Sequence, residues 1–342
     1  MKLWLNNTIE DRLYMLQKAS TDHPGINQLA AEKDWWVVII LKALFQTECA
    51  PMLSFKGGTS LSKGFGIIER FSEDIDLAIS HVFFGIDKTG TNQREKLRKK
   101  SRAYIHETLS GLLDERLKEM GVSGYRIENV KSQVDREGIR KEIDSDKDPT
   151  VILVHYDSVE EGSVDYIPPR VKIEISCLSM DEPTEVREIQ SYIADSFPEE
   201  DGTRASVRTV LPTRTFLEKM FLLAEEFQRT KPRHVRMSRH LYDLERLMDS
   251  EYGHQALSDY GMYDAIIEHR RTYYALKYVD YDQHKPESIR ILPPAEIMDL
   301  WANDYADMRR YFIYGGSLSF GDLMNRIEEL QERVRRMVGG SR

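Results

Sequence analysis

The sequence predicts an α+β protein in which a mixed sheet flanked by helices is followed by a mostly helical C-terminal domain. Three observations support this fold class. The 342 residues exceed the usual length of a single domain. Up to about residue 205, short strand patterns alternate with helical ones, whereas from Pro212 onward only helical spacing recurs. We therefore expect two domains, over 1–205 and 206–342.

The first domain is predicted to open with helices over 8–20 and 27–47, which carry apolar residues at helical spacing. A short strand over 52–55 then leads into a Gly57-Gly58 turn and a new helix. The later predicted elements are a strand over 75–79, a long helix over 93–120, β-rich stretches near 124–134, 150–157 and 170–178, and a hairpin in the charged segment 135–148.

The second domain is predicted to be helical because apolar residues recur every three to four positions along it. A proline-bearing loop near 280–294 interrupts the pattern. The predicted helices span 213–228, 237–249, 254–270, 295–311 and 319–338.

Composition narrows the possible function classes. With 41% hydrophobic and 31% charged residues, the chain has the material for a core and a solvated surface. A net charge of -9 argues against a protein coated in basic surface for non-specific duplex binding. The longest apolar run, 35–41, is too short to span a bilayer, and the first residues do not resemble a secretion signal. We expect a cytoplasmic protein without a membrane segment.

Cys49 and Cys177 match no zinc or redox spacing and are expected to be buried free thiols.

The chemistry is predicted to centre on Asp74 and Asp76. Side chains alternate along a strand, so these carboxylates point the same way with Cα atoms about 6.6 Å apart, while Ile75 and Leu77 face the core. Two carboxylates so placed can share Mg²⁺ or Mn²⁺, which oxygen ligands and substrate phosphates complete. Asp-x-Asp alone is a common pattern. The Gly-Gly turn that precedes it makes the interpretation specific.

That turn has the features of a phosphate-binding loop. Gly57 and Gly58 let the backbone turn tightly and approach an anion, and a helix starting at Thr59 or Ser60 offers unpaired N–H groups. The hydroxyls of Thr59 and Ser60 are further donors. Lys63, one turn later, is either a phosphate ligand or an exposed helix lysine. The Gly-Lys-Ser/Thr of a P-loop and the three glycines of a dinucleotide fingerprint are both missing from this segment.

The segment from Lys56 to Ile79 resembles the signature of the AbiEii/AbiGii toxin family, polymerase-beta-like nucleotidyltransferases that form the toxin half of bacterial abortive-infection and toxin–antitoxin pairs. In that family a Gly-Gly-Ser/Thr turn precedes an Arg-x-Ser-x-Asp-x-Asp element, which here runs from Arg70 through Ser72 to Asp76. Arg70 and Ser72 are predicted to contact the nucleotide, to position the Asp pair or to cap the turn. The resemblance implies a polymerase-beta-like nucleotidyltransferase domain and a role in phage defence.

The resemblance also implies a third acid on a later strand. Glu174 matches it and would be the base or a third metal ligand beside Asp74 and Asp76. An ion pair of Glu174 with Lys172 or Arg170 is the alternative. Asp157 and Asp165 are competing candidates for the same role.

Two further catalytic positions are implied on the C-terminal helices. Lys219 matches a downstream lysine of the family, and Asp243 matches its aspartate in the segment that begins at Arg239, a predicted phosphate ligand. Basic residues crowd this region between 229 and 239, as either a phosphate or RNA-end contact or a solvated loop. A second basic run, 94–102, is either a solvated helix face or a surface that holds a polynucleotide.

The implied reaction is transfer of a nucleoside monophosphate from a nucleoside triphosphate to an acceptor hydroxyl, with release of pyrophosphate. The resemblance implies the 3′ end of tRNA or another RNA as acceptor and a separately encoded winged-helix antitoxin as partner. The helical domain is expected to contribute to the nucleotide and acceptor cleft. Transfer to a protein or small molecule, or a nucleotide-binding interaction module without turnover, are the alternatives.

Overall fold

The structure, a computed structural model, describes residues 2–86, 90–134, 138–145, 147–160, 167–180 and 183–337. The chain divides into two compact units, one formed by 1–64 with 71–209 and the other by 65–70 with 210–342. The chain passes from the first unit to the second for the last time after residue 209. The domain boundary predicted from the sequence was after residue 205. The grouping of 65–70 with the C-terminal unit was not predicted from the sequence.

The first unit contains a seven-stranded mixed sheet. Its strands are β1 (Leu53–Lys56), β2 (Ile75–Ile79), β3 (Tyr125–Asn129), β6 (Thr150–Tyr156), β7 (Arg170–Ser176), β8 (Thr184–Gln190) and β9 (Arg204–Val210). They lie in the order β3-β6-β7-β2-β1-β9-β8. A separate antiparallel pair consists of β4 (Ser132–Val134) and β5 (Arg140–Glu142). Of the two strands, only β5 lies within the segment 135–148 where a hairpin was predicted.

β2 is central to this sheet. It pairs antiparallel with β1 on one side and parallel with β7 on the other. Buried residues alternate with half-buried ones along β6 and β7, as expected for strands with period two. The predicted strand over 75–79 is confirmed, whereas β8 and β9 lie beyond the β-rich stretches that the sequence indicated.

The helices of the first unit are α1 (Ile9–Asp22), α2 (Gln28–Leu44), α3 (Gly57–Thr59, continued by a π-helical turn over Ser60–Gly64), α4 (Thr91–Tyr104), α5 (Ser110–Glu119) and α6 (Tyr192–Ser196). A second π-helical turn, Ile105–Leu109, joins α4 to α5, so the predicted long helix is confirmed. α2 starts where the Asn27 side chain accepts a hydrogen bond from the N–H of Ala30, and most of its side chains are buried.

The second unit is helical, as predicted. Its helices are α7 (Pro212–Glu226), α8 (Ser238–Met248), α9 (Glu251–Ser258), α10 (Tyr260–His269), α11 (Met298–Tyr311) and α12 (Phe320–Arg335). Pro212 occupies the first position of α7, where its missing N–H costs no intrahelical hydrogen bond. No helix in the described ranges is both long enough and apolar enough to cross a bilayer. Cys49 and Cys177 are buried free thiols, which confirms their prediction.

Candidate active site

The turn between β1 and α3 brings backbone and carboxylate into direct contact. Gly57 has a φ of +82°, a conformation that L side chains rarely adopt. A Cβ at this position would lie 2.1 Å from Oδ2 of Asp76. Glycine is therefore required here twice, once by the backbone conformation and once by the neighbouring carboxylate.

Three neighbouring strands place polar side chains in a row beside this turn. Asp76 on β2 is in register with Lys56 on β1 and with Glu174 on β7. Residues in register on adjacent strands share a face, with strands about 4.8 Å apart. Lys56 Nζ donates to Ser179 Oγ at 2.8 Å. Lys56 was not predicted as a site residue, because sequence alone does not give the register of β1 on β2.

Asp74 directly precedes β2 and does not lie within it, contrary to the expectation that both aspartates belong to the strand. The alternation of buried and half-buried residues nevertheless extends back through Glu73 to Phe71, so Asp74 falls in phase with Asp76. The Thr59 hydroxyl donates to the backbone oxygen of Asp74 at 2.5 Å. This bond ties the start of α3 to the residue that carries the first carboxylate.

The hydroxyls of the turn have partners inside the protein. Thr59 Oγ1 also lies 3.0 Å from Ser72 Oγ, and Ser60 Oγ donates to the backbone oxygen of Gly57 at 2.9 Å. Thr59 and Ser60 are buried. In this arrangement the hydroxyls hold the turn, and the first backbone N–H groups of α3, which have no partner in the preceding turn of a helix, are the donors offered to an anion.

Lys63 points into the protein. Its Nζ lies 2.9 Å from Oδ1 of Asp34 and 3.7 Å from the centre of the Tyr192 ring. The Lys63 side chain is only 10% exposed. This geometry favours a structural role for Lys63, and the predicted phosphate contact stays a prediction.

The predicted site of three metal-binding carboxylates stays a prediction. No group of three or more His, Cys, Asp or Glu residues suited to a metal is found in the described part of the chain. Glu174 Oε1 instead pairs with Lys172 Nζ at 2.7 Å, the alternative left open by the sequence. Asp165, a competing acid, lies outside the described residues. Asp74 and Asp76 still fit Mg²⁺, since one or two carboxylates usually suffice when substrate phosphates complete the shell.

The second unit holds a buried ion cluster built from predicted site residues. Arg70 donates two hydrogen bonds to the Asp243 carboxylate, from Nε to Oδ1 at 2.7 Å and from Nη2 to Oδ2 at 2.8 Å. Lys219 Nζ lies 2.8 Å from the same Oδ2. Burial alone would raise the pKa of the Asp243 carboxyl, but Arg70 and Lys219 lower it well below its usual range. The Asp243 side chain is fully buried, so the geometry favours its acting through Arg70 and Lys219 over direct contact with a substrate.

Burial shifts the pKa values of the basic groups in and around this cluster. Burial lowers the pKa of Lys219, and the negative charge of Asp243 partly offsets this effect. Burial, followed by the charges of Lys219 and Arg239, lowers the pKa of His240 well below its usual value, so this imidazole is neutral at neutral pH. The N–H of Glu69 donates to the Tyr242 hydroxyl at 3.3 Å. Together with the Arg70–Asp243 pair, that bond explains why 65–70 groups with the second unit.

The basic segment between 229 and 239 is partly neutralised. Arg229 Nε and Arg233 Nη2 lie 3.0 Å and 2.6 Å from Oε2 of the buried Glu226. These pairs support a structural role for two of the cations in this segment. Its predicted contact with phosphate or an RNA end stays a prediction.

The glycine turn and the aspartate pair lie together in the first unit, and comparison with known families identifies the class of protein. Residues 39–332 match the nucleotidyl transferase AbiEii toxin family of type IV toxin–antitoxin systems. The chain belongs to this family. No curated protein sequence matches the chain. Among solved structures, it is similar to MenT4, a nucleotidyltransferase toxin from Mycobacterium tuberculosis H37Rv, at 16% identity and a TM-score of 0.46, over 97% of this chain and 98% of that one.

Replacing Gly57 with alanine is expected to abolish nucleotidyl transfer. The new Cβ would displace the Asp76 carboxylate and would also strain a backbone with positive φ. Gly85→Ala is the matched control, because Gly85 has a φ of +63° and nothing within 4 Å of an added Cβ. Initial transfer rates of both variants, with thermal unfolding as a fold check, give the comparison. Equal losses in the two variants would attribute the effect to backbone strain and contradict a role for the Asp76 contact.

Asp243→Asn is expected to lower the free energy of unfolding by about 3–5 kcal/mol, because it leaves Arg70 and Lys219 buried without a counter-charge. Asp249→Asn is the matched control. The Asp249 side chain is 55% exposed although it pairs with Arg333 at 2.8 Å, so its loss is expected to cost about 1 kcal/mol or less. Urea unfolding at pH 7 measures both.

The pH dependence gives this prediction a sign. The folded-state pKa of Asp243 is depressed, so its stabilisation is present above its unfolded pKa of about 4 and is lost as the pH falls through the folded value. The difference between wild type and Asp243→Asn should therefore be constant near neutrality and narrow below about pH 4. A difference under 1 kcal/mol at pH 7 would contradict the cluster's role.

Proposed function

We propose that the chain transfers a nucleoside monophosphate from a nucleoside triphosphate to a hydroxyl of an RNA acceptor, with the 3′ end of tRNA as the first candidate, and releases pyrophosphate. The contact between Gly57 and Asp76 carries this proposal, because it fixes a phosphate-binding turn directly against a carboxylate. Membership of a nucleotidyl transferase toxin family supports the reaction class. A cytoplasmic setting and a separately encoded winged-helix antitoxin belong to the same proposal.

The proposed binding mode assigns separate tasks to neighbouring groups. The first N–H groups of α3 bind the triphosphate, and the positive end of the helix dipole adds to their attraction. Asp74 and Asp76 hold the divalent ion. A bound ion would supply positive charge to neutralise the phosphates. Glu174 is the proposed acceptor of the hydroxyl proton, since it is the carboxylate in register with Asp76 on the adjacent strand.

The proposed reaction exchanges a phosphoanhydride bond of the nucleotide for a phosphoester bond to the acceptor. The acceptor oxygen forms a bond to the α-phosphorus while the bond from that phosphorus to the α–β bridging oxygen breaks. Pyrophosphate leaves, and the hydroxyl proton passes to Glu174. Lys219 and Arg239 are proposed as further cations for nucleotide or RNA phosphates. These groups position the reactants and neutralise charge, which supply most of the catalysis in phosphoryl transfer.

The test incubates purified protein with Mg²⁺, each α-labelled nucleoside triphosphate in turn and total cellular RNA. Wild type is expected to label tRNA-sized RNA, and Asp74→Asn to lose at least about 100-fold in rate, because metal and phosphate charge are no longer held. Glu200→Gln is the matched control, since its side chain is 53% exposed and pairs only loosely with Lys2 at 3.4 Å.

Label in protein or in a small molecule instead of RNA would contradict the proposed acceptor. Full activity of Asp74→Asn would contradict the proposed site. Glu174→Gln and Lys172→Met separate the two roles of the β7 pair in the same assay. Loss of activity in Glu174→Gln alone supports the proton acceptor, whereas equal effects of the two variants indicate an ion pair that only supports the strand.

A further inference from the structure

Helix α4 concentrates positive charge in an acidic protein. Its 14 residues contain six Lys or Arg and a single acid, Glu95, a net charge of +5. The whole chain carries -9, so everything outside α4 sums to -14. An ordinary solvated helix in such a chain mixes both signs, and this segment departs from that pattern over its whole length.

The charged side chains are presented outward around a depression. Asn92, Glu95, Lys96, Lys99 and Lys100 line a surface hollow of about 480 Å³, and all five residues are exposed. Lys100 Nζ also donates to the backbone oxygen of Phe84 at 2.8 Å, whereas Lys96 and Lys99 extend further from the protein. Lys99 pairs with Glu95 at 2.5 Å, but both side chains are about half exposed, at 52% and 50%. A pair so exposed is weak and exchanges readily with other partners.

The opposite side of α4 is anchored to the protein. Leu97 is only 2% exposed, and Arg102 Nη2 donates to the backbone oxygen of Val130 at 3.3 Å. The helix is therefore a fixed platform for its lysines. Lys99 and Lys100 lie three and four residues after Lys96, about 4.5 and 6 Å further along the axis, so all three share one face.

α4 also lies near the catalytic strands within the first unit. Burial raises the pKa of the Cys177 thiol, and Arg98 and Ser101 of α4 are among the groups that act on it in the opposite direction. Cys177 directly follows β7, three residues after Glu174. Strand geometry makes that separation about 10 Å. α4 thus packs beside the end of β7, in the same unit as the candidate site.

The chemistry of this face selects its ligand. Lysine is depleted in protein–protein interfaces, and membrane-binding helices present an apolar face. Of the large apolar side chains that are exposed in the described residues, none lies on α4. Flexible ammonium groups clustered on one face suit a phosphodiester backbone, which offers one charge per nucleotide and needs no base recognition.

We propose that the exposed face of α4, defined by Lys96, Lys99 and Lys100, binds the phosphodiester backbone of the acceptor RNA. The inference rests on the proposed function, since it takes RNA as the acceptor. It adds a docking surface that is separate from the residues that hold nucleotide and metal. This face sets affinity for RNA and leaves the chemical step unchanged.

The test compares two double variants that change net charge equally. Lys96→Glu with Lys99→Glu alters the proposed face, and Lys18→Glu with Lys118→Glu is the matched control. Lys18 and Lys118 are also helical lysines of the first unit, each paired with an aspartate four residues away. Binding of a 5′-fluorescein-labelled tRNA transcript is followed by fluorescence anisotropy at KCl concentrations between about 50 and 300 mM. The dependence of affinity on salt over this range reports how many counterions are released on binding.

The α4 variant is expected to bind tRNA at least about 10-fold more weakly at 100 mM KCl, with a slope of log affinity against log salt smaller by about 1.5–2 for two lost phosphate contacts. In the transfer assay, KM for RNA should rise while kcat at saturating RNA and KM for the nucleotide stay unchanged. The control should stay within about two-fold of wild type in both assays. Lys96→Gln with Lys99→Gln should show a smaller loss in the same direction.

Equal losses in the α4 and control variants would overturn the proposal, because net charge would then explain them. Unchanged tRNA binding and KM in the α4 variant would also overturn it, while wild-type labelling of RNA would leave the proposed function standing. If wild type instead labels no RNA and binds no tRNA, the proposed acceptor itself fails. The two failures are therefore distinguishable.

Discussion

The candidate site depends on the close approach of the Asp76 carboxylate to the Cα of Gly57. A side chain at residue 57 would meet Oδ2 of Asp76 at 2.1 Å, so the turn and the carboxylate are placed by one packing constraint. The Thr59 hydroxyl, bonded to the backbone oxygen of Asp74, fixes the other aspartate to the same turn. The backbone N–H groups of the turn and the two carboxylates are therefore held in fixed relative positions before any ligand binds. This arrangement reduces the reorganisation that binding would otherwise require.

Buried charges on the other face of the sheet keep these carboxylates outward. Glu73, between the two half-buried residues Ser72 and Asp74, turns inward and meets Lys33 of α2 at 2.7 Å, with both side chains less than a tenth exposed. A one-residue slip of this segment would exchange the faces, burying Asp74 and exposing Glu73. Burial lowers the pKa of Lys33, and Glu73 counters that effect. The Lys33–Glu73 pair fixes which residues of this segment face inward. It adds little net stability, because its Coulomb attraction only offsets the cost of removing both charges from water.

Sequence reasoning found the features of the site that are local in the chain. The glycine pair, the aspartate spacing and the strand over 75–79 follow from backbone freedom and the period of a strand, and the structure places them together. The fold class and the helical C-terminal half follow from periodicity in the same way. The family resemblance rested on these same 25 or so residues and is confirmed.

Features that depend on distant partners were not predictable. The Lys63–Asp34 pair joins residues on different helices, and nothing local marks either one as buried. β8 was missed because polar and charged residues flank Val186, which is 67% exposed on this edge strand, so no alternation of apolar and polar residues marks it. The sequence left the Glu174–Lys172 pair open, and the structure forms it.

The central claim is that Asp74 and Asp76 jointly hold the divalent ion that nucleotide transfer requires. The most direct test is Mn²⁺ binding, followed by electron paramagnetic resonance, in the presence of a saturating nucleotide analogue with a methylene group between the α- and β-phosphates. Wild type should bind Mn²⁺, and Asp74→Asn and Asp76→Asn should each weaken that binding at least about 10-fold, because each removes an anionic oxygen ligand. Wild-type affinity in both variants would show that the ion is held elsewhere and would contradict the account.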